Sequence, residues 1–134
     1  MSGATDTRVR LPLQAVLAHL RRDPEWTLAA RFWTARIAFF VDGERSVLTI
    51  ENGEAVAFEP SGQASPPCTL RIGGPAASWH ELLQPVPRPF FQDFLPASLH
   101  HGFVCEGDLE SFYAYYGAIS RILVAMRRAV AEQR

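Results

Sequence analysis

The side chains that could do acid–base or metal chemistry are few and scattered along the chain. His100 and His101 are adjacent, with Glu106 and Asp108 shortly downstream. Neighbouring residues of an extended segment point to opposite sides, so this pair is poorly placed to hold one metal ion. The sequence also has no H-x-H or H-x-x-x-H spacing. We therefore expect no metal site and no cofactor.

A general acid or base is the second chemistry to consider. His80, followed by Glu81, could serve because histidine titrates near neutral pH. An ordinary exposed position at the start of a helix is the simpler interpretation of this residue. If the protein were a small enzyme acting on a bulky apolar substrate, the candidate acid–base residues would be His80, His101 and Glu106. All 13 basic residues are Arg, which excludes Schiff-base and P-loop lysines, and no G-x-S-x-G motif occurs. We expect no catalytic residue.

Composition narrows the class of protein further. A chain of 134 residues is large enough for one domain with its own core. A net charge of −1 argues against a nucleic-acid binder. No apolar run approaches the roughly 20 residues that span a bilayer, and the polar N-terminus lacks a signal-peptide core. We expect a cytoplasmic protein with a disordered lead-in over 1–10 and a single domain over 11–134.

The first half of the chain reads as two helices and a hairpin sheet. Apolar residues at steps of three and four from Leu13 to Leu20 predict a helix, and the Asp-Pro-Glu sequence after it can begin a short second helix over 24–30. Three apolar runs follow, separated by Asp42-Gly43 and Asn52-Gly53, which favour tight hairpins. A three-stranded antiparallel meander is predicted over 36–41, 46–50 and 55–59.

The second half alternates short elements and ends in a long helix. After a loop over 60–67, the predicted elements are a strand over 68–72, a helix over 76–84, a helical turn over 90–95 and a strand over 103–105. From an N-cap at Asp108, apolar residues recur at steps of three and four to Val130, and Arg127 and Arg128 suit the end of a helix dipole. Cys68 and Cys105, both in strand-like runs, are expected to be buried thiols, although a disulfide stays open. The fold class is α+β on an antiparallel sheet.

Three segments, in this order and spacing, resemble the sterol carrier protein type-2 domain over about residues 23–128. They are Phe40-Val41-Asp42-Gly43 leading into Leu48-Thr49-Ile50-Glu51-Asn52-Gly53, Thr69-Leu70-Arg71-Ile72-Gly73-Gly74-Pro75 before Trp79-His80-Glu81-Leu82-Leu83, and Gly102-Phe103-Val104-Cys105-Glu106-Gly107-Asp108. The resemblance implies a five-stranded, mostly antiparallel sheet covered on one face by helices, with a long C-terminal helix. It also implies an apolar tunnel between sheet and helices that holds acyl chains, sterols or similar molecules. It carries no catalytic motif.

A phenylalanine cluster marks the predicted ligand site. Phe90, Phe91 and Phe94 lie within five residues among prolines, and such side chains line or close apolar pockets well. Ordinary core beneath a loop is the alternative. The segment 84–96 departs here from the plainer helix expected for the resemblance, and ligand exchange would need it or the terminal helix to move. The predicted ligand-binding residues are Phe90, Phe91, Phe94, Leu95, Phe103, Phe112, Tyr116, Ile119 and Leu123.

Tyrosines on the terminal helix add a polar element to this apolar surface. The hydroxyls of Tyr113, Tyr115 and Tyr116 need hydrogen-bond partners if they are buried, and a backbone group or a ligand head group could supply them. We therefore predict non-catalytic binding or carriage of a fatty acyl, isoprenoid or sterol-like ligand. The alternatives are a small enzyme or enzyme-accessory subunit on the same scaffold, and an interaction domain that meets a partner protein, such as a partner enzyme. A homodimer through the terminal helix also stays open.

Overall fold

The computed structural model describes residues 9–61 and 67–133. The predicted lead-in over 1–10 lies outside the described residues except for Val9 and Arg10, as does most of the predicted loop over 60–67. No helix in the described part of the chain is long and apolar enough to cross a membrane.

Two helices open the chain, as predicted. Helix α1 (Leu13–Arg22) buries Val16, Leu17 and Leu20, and helix α2 (Pro24–Ala29) buries Trp26. Asp23 separates the two helices. Its backbone N–H donates to the Leu20 carbonyl, and its carboxylate accepts from the Glu25 N–H at 3.0 Å. One residue thus ends the first helix and caps the second.

The predicted meander is confirmed. Strands β1 (Ala35–Val41), β2 (Glu44–Glu51) and β3 (Glu54–Pro60) pair antiparallel in sequence order. Both hairpin turns use left-handed backbone, with φ of 53° at Asp42, 48° at Asn52 and 84° at Gly53. The Asp-Gly and Asn-Gly sequences favour this conformation because these residue types tolerate positive φ.

Two later strands complete a five-stranded sheet. Strand β4 (Leu70–Gly74) and strand β5 (Val104–Gly107) give the order β3-β2-β1-β4-β5. The pairing of β1 with β4 is parallel, and the other three pairings are antiparallel. The fold is therefore α+β on a mixed, mostly antiparallel sheet. Strand β4 begins at Leu70 instead of the predicted Cys68.

Four further helices belong to the second half of the chain: α3 (Ala76–Leu82), α4 (Phe94–His101), α5 (Leu109–Ala114) and α6 (Tyr116–Glu132). The predicted helical turn over 90–95 is wrong in its position. Phe90 has a φ of 69°, which a helix cannot accommodate, and the Asp93 carboxylate caps the Phe94 N–H at 2.8 Å. Because α4 runs to His101, the adjacent histidines are helical and not extended as predicted.

The predicted long terminal helix is interrupted at Tyr115. Its φ of −110° and ψ of 24° separate α5 from α6. At this point the Tyr115 ring lies parallel to the Trp33 indole, with centroids 4.7 Å apart. The interruption places that aromatic ring on the core, while α6 continues for 17 residues.

The core lies on one face of the sheet. Ile37 and Phe39 point inward and are buried, whereas Arg36 and Phe40 alternate to the other face and are half-buried. The inward side chains form one hydrophobic cluster with the buried residues of α1 to α6. On the outer face, Arg71 lies over the Phe40 ring.

Both cysteines are half-buried, so the prediction that they are fully buried is wrong. The Arg45 guanidinium donates to the Cys68 Sγ at 3.4 Å, and no disulfide joins Cys68 to Cys105. Burial raises the pKa of Cys105 to about 11, and the Asp93 charge acts in the same direction. A hydrogen bond with Ser98 lowers the pKa but is outweighed.

Candidate functional site

The proline-rich segment between α3 and α4 is held in place by Arg127 of helix α6. The Arg127 Nε donates to the Leu82 carbonyl at 2.7 Å, and its Nη2 donates to the carbonyls of Phe91 and Gln92 at 3.0 and 2.9 Å. A segment without regular structure needs partners for its backbone carbonyls. Burial lowers the pKa of Arg127, with the Asp93 charge acting in the opposite direction. One side chain thus fixes both ends of this segment.

The two adjacent histidines of α4 also pack against this segment. The His100 ring stacks on Phe90 with centroids 3.7 Å apart, and the His101 ring stacks on Phe91 at 4.0 Å. The His101 Nε2 also lies 3.2 Å from the Pro89 carbonyl oxygen. Across residues 9–61 and 67–133, no group of three or more His, Cys, Asp or Glu side chains could hold a metal ion. The contacts of the histidine pair are ring stacking on Phe90 and Phe91.

Six of the nine predicted ligand-binding residues lie in the core. Phe94, Phe103 and Trp79 form an aromatic cluster with ring centroids 5.2 to 6.0 Å apart. The six core residues are Phe91, Phe94, Phe103, Phe112, Ile119 and Leu123, each almost fully buried. They belong to the hydrophobic core cluster that the sheet and the helices share.

The other three predicted residues line a groove at the surface, which we call the α4 groove. Its volume is about 410 Å³, and its lining is Phe90, Asp93, Leu95, Pro96, Leu99, His100 and Tyr116. Phe90, Leu95 and Tyr116 belong to the predicted set. Leu99 is 73 % exposed and Phe90 is 44 % exposed, so apolar surface here faces solvent.

Four lining residues were missed from the sequence: Asp93, Pro96, Leu99 and His100. Pro96, Leu99 and His100 follow the i, i+3, i+4 spacing of one helix face. That signal could have found them if the helix had been extended to His101.

A polar cluster forms part of the lining of the α4 groove. The Tyr116 hydroxyl accepts from the Leu95 N–H at 3.0 Å and hydrogen bonds to Asp93. The Ser120 hydroxyl donates to the second carboxylate oxygen of Asp93. Burial raises the pKa of Tyr116, and the Asp93 charge acts in the same direction. The hydrogen bond from the Leu95 N–H lowers this pKa but is outweighed. The tyrosine hydroxyl therefore remains a protonated donor, and backbone and carboxylate partners satisfy it.

A second concavity, of about 430 Å³, lies between residues 9–13 and the strand ends around the β1–β2 hairpin. Arg10, Glu44 and Arg45 contribute to its lining, together with the apolar Leu11 and Phe39. Charged side chains lose their hydration when an apolar molecule covers them. This concavity is therefore a poorer match to a hydrophobic ligand than the α4 groove.

The predicted acid–base residues lie apart. His80 is exposed, and its ring lies 3.2 Å from the side-chain amide of Gln84. Glu106 pairs with Arg71 on the outer face of the sheet. His101 packs beside the α4 groove without lining it. These three residues do not converge on one cavity.

Comparison with solved structures identifies the fold. A crystal structure of sterol carrier protein 2 matches with a TM-score of 0.70 and 19 % identity, over 87 % of this chain and 93 % of that chain. A conserved hypothetical protein from Thermus thermophilus matches with a TM-score of 0.65 and 18 % identity, over 96 % and 94 %. A UbiJ-SCP2 ubiquinone synthesis protein matches with a TM-score of 0.53 and 15 % identity, over 83 % and 86 %.

No protein-family model matches the sequence, and no curated protein matches it. At such low identities the structural likeness establishes the fold, which is that of a sterol carrier protein 2-like domain. The fold implied by the sequence resemblance is thereby confirmed.

Proposed function

We propose that this protein binds or carries a hydrophobic ligand, of the fatty acyl, isoprenoid or sterol-like class, in the α4 groove and without catalysis. One observation carries the proposal: the exposed side chains of Phe90 and Leu99 line a groove whose Tyr116 ring packs against the buried Phe112 ring. A volume of about 410 Å³ falls within the roughly 300–1,000 Å³ typical of small-molecule sites. The fold it shares with a protein named sterol carrier protein 2 supports the same function.

The physical driving force would be the burial of apolar surface. Each methylene removed from water contributes about 0.8 kcal/mol, so a ligand that covers Phe90, Leu95 and Leu99 gains affinity from both surfaces. A longer ligand would reach the buried aromatic cluster of Phe94, Phe103 and Trp79 only after the segment 84–96 moved. That movement would have to separate the Phe90–His100 and Phe91–His101 stacks.

A second candidate function is that of an accessory subunit whose partner protein, such as a partner enzyme, covers this surface. Val86, at 87 % exposure in the proline-rich segment, is the observation that favours it. The fold is also shared with a ubiquinone synthesis protein. A ligand-carrying domain and a partner-covered domain are compatible, because the ligand could pass between the two proteins.

The first test is to identify molecules that copurify with the protein. Mass spectrometry of an organic extract should reveal an acyl, isoprenoid or sterol-like compound. Ligand added to the stripped protein should then raise the melting temperature in a concentration-dependent way. An empty extract together with no melting shift for any member of these classes would contradict the proposal.

A pair of matched variants locates the site. Leu99→Glu places a charge in the α4 groove and should weaken binding by about tenfold or more, since desolvating a charge opposes apolar contact. Leu28→Glu is the control, because Leu28 is 67 % exposed on α2 and does not line the groove. Both leucines are exposed, so both variants should fold. Equal affinity of the two variants would place the ligand elsewhere.

A further inference from the structure

The acidic group in the lining of the α4 groove is the Asp93 carboxylate. Asp93 lines the groove and accepts hydrogen bonds from the Phe94 N–H and the Ser120 hydroxyl, with the Tyr116 hydroxyl as a third contact. An ionised carboxylate only accepts hydrogen bonds and has about four lone-pair sites. Three contacts from the chain leave one acceptor position for a ligand.

Arg127, a cation that acts electrostatically on this carboxylate, is engaged elsewhere. Arg127 interacts electrostatically with Asp93, but its guanidinium binds the carbonyls of Leu82, Phe91 and Gln92 and does not line the groove. The His100 ring lies flat on Phe90. Among the lining residues there is neither a lysine nor an arginine to pair with an anionic head group.

The N-terminus of helix α4 does not supply an anion site either. The partial positive charge of a helix N-terminus attracts anions, and here the Asp93 carboxylate already occupies the cap at 2.8 Å from the Phe94 nitrogen. A second carboxylate in the groove would face Asp93 without an intervening cation, and like charges repel.

We propose that the polar end of the ligand is a hydrogen-bond donor, an alcohol or an amine, and that Asp93 selects it over a carboxylic acid. This inference rests on the proposed function, because it names the head group of the ligand held in the α4 groove. The apolar lining accepts the chain, and the Asp93 carboxylate determines which amphiphile of a given chain length binds best.

The test compares three ligands with the same chain and different head groups: decanol, decylamine and decanoate, at about pH 8. Affinity is measured with the stripped full chain by calorimetry. A hydrogen bond to a charged group should make decanol and decylamine bind at least about tenfold more tightly than decanoate. Asp93→Asn should reduce that preference to less than about threefold, since Asn still caps a helix but has no charge.

Asp108→Asn is the matched control, because Asp108 caps α5 through Ser111 and lies outside the α4 groove. It changes the net charge equally and should keep the wild-type preference. If Asp93→Asn fails to fold, the order of the three ligand affinities for the wild-type protein still tests the inference. Decanoate binding as well as or better than decanol would overturn this inference and leave the proposed function standing. No binding of any of the three, with an empty lipid extract, would overturn both.

Discussion

The Arg121 Nε donates a hydrogen bond to the Oδ2 of Asp23 at 2.7 Å, joining helix α6 to the junction of α1 and α2. The same guanidinium reaches Glu25 through Nη1 at 2.8 Å. Asp23 is only 7 % exposed, and it caps α2 as well. The pair therefore connects the first and last parts of the described chain through a nearly buried carboxylate.

Replacing Arg121 by Leu should lower the free energy of unfolding by about 2–3 kcal/mol. The reason is that the variant leaves the Asp23 carboxylate buried without its cation, although partial exposure of Arg121 reduces the effect. Arg128→Leu, at an exposed position of the same helix, is the control and should cost less than about 0.5 kcal/mol. Urea unfolding measures both, and equal losses would show that the pair contributes nothing specific.

Acid should weaken the protein through the same carboxylate. Burial acts to raise the pKa of Asp23, but hydrogen bonds from Arg121 and from backbone N–H groups outweigh it, so the pKa lies below its usual 3.8. The unfolded chain then takes up the proton first. The stabilisation is complete above about pH 5 and is lost as the pH falls through the folded-state value. Unfolding free energies at about pH 6 and pH 3 should differ less in Asp23→Asn than in the wild type.

Replacing Arg127 by Lys should loosen the proline-rich segment. A lysine ammonium cannot reproduce the planar fork that binds three carbonyls, so we expect a loss of about 1–3 kcal/mol. Hydrogen exchange should become faster across residues 83–93, while the β1–β2 hairpin stays protected. Arg128→Lys keeps the same charge on the same helix and provides the comparison. Unchanged exchange in Arg127→Lys would refute the anchoring role of this side chain.

Cys105 should react slowly with alkylating agents. Burial raises the pKa of Cys105 to about 11 from the ordinary 9.0, which lowers the thiolate fraction near pH 8 by about 100-fold. In a Cys68→Ser variant, iodoacetamide labelling followed by mass spectrometry isolates Cys105. Labelling of the folded protein should be about 100-fold slower than that of the urea-unfolded protein. Equal rates would contradict the raised pKa.

Features governed by neighbouring residues could be predicted from the sequence. The Asp42-Gly43 and Asn52-Gly53 turns specify positive φ locally, so the meander and its order followed from the chain alone. The start of α4 could not be predicted in the same way. Three phenylalanines favoured a helix from residue 90, whereas the cap at Asp93 and the left-handed Phe90 placed it later.

Features that depend on distant contacts could not be predicted. The α4 groove takes Leu95 and Leu99 from one helix and Tyr116 from another, and their meeting depends on the tertiary fold. The sequence showed only that Arg127 suits the end of a helix. Its role in binding the proline-rich segment could not be predicted, because the acceptors are backbone carbonyls, which have no sequence signature. The interruption at Tyr115 likewise depends on Trp33, far away in the chain.

The position of β1 at the centre of the sheet also affects how the chain folds and how it opens locally. On one side β1 pairs with β2, its sequence neighbour, and on the other it pairs in parallel with the distant β4. Local pairings form early and non-local ones late, so the meander should nucleate folding before α3, α4 and β5 dock. We expect the part that docks late, which includes helix α4, to open as a separate cooperative unit while the meander stays intact. A ligand could enter by this partial opening without global unfolding.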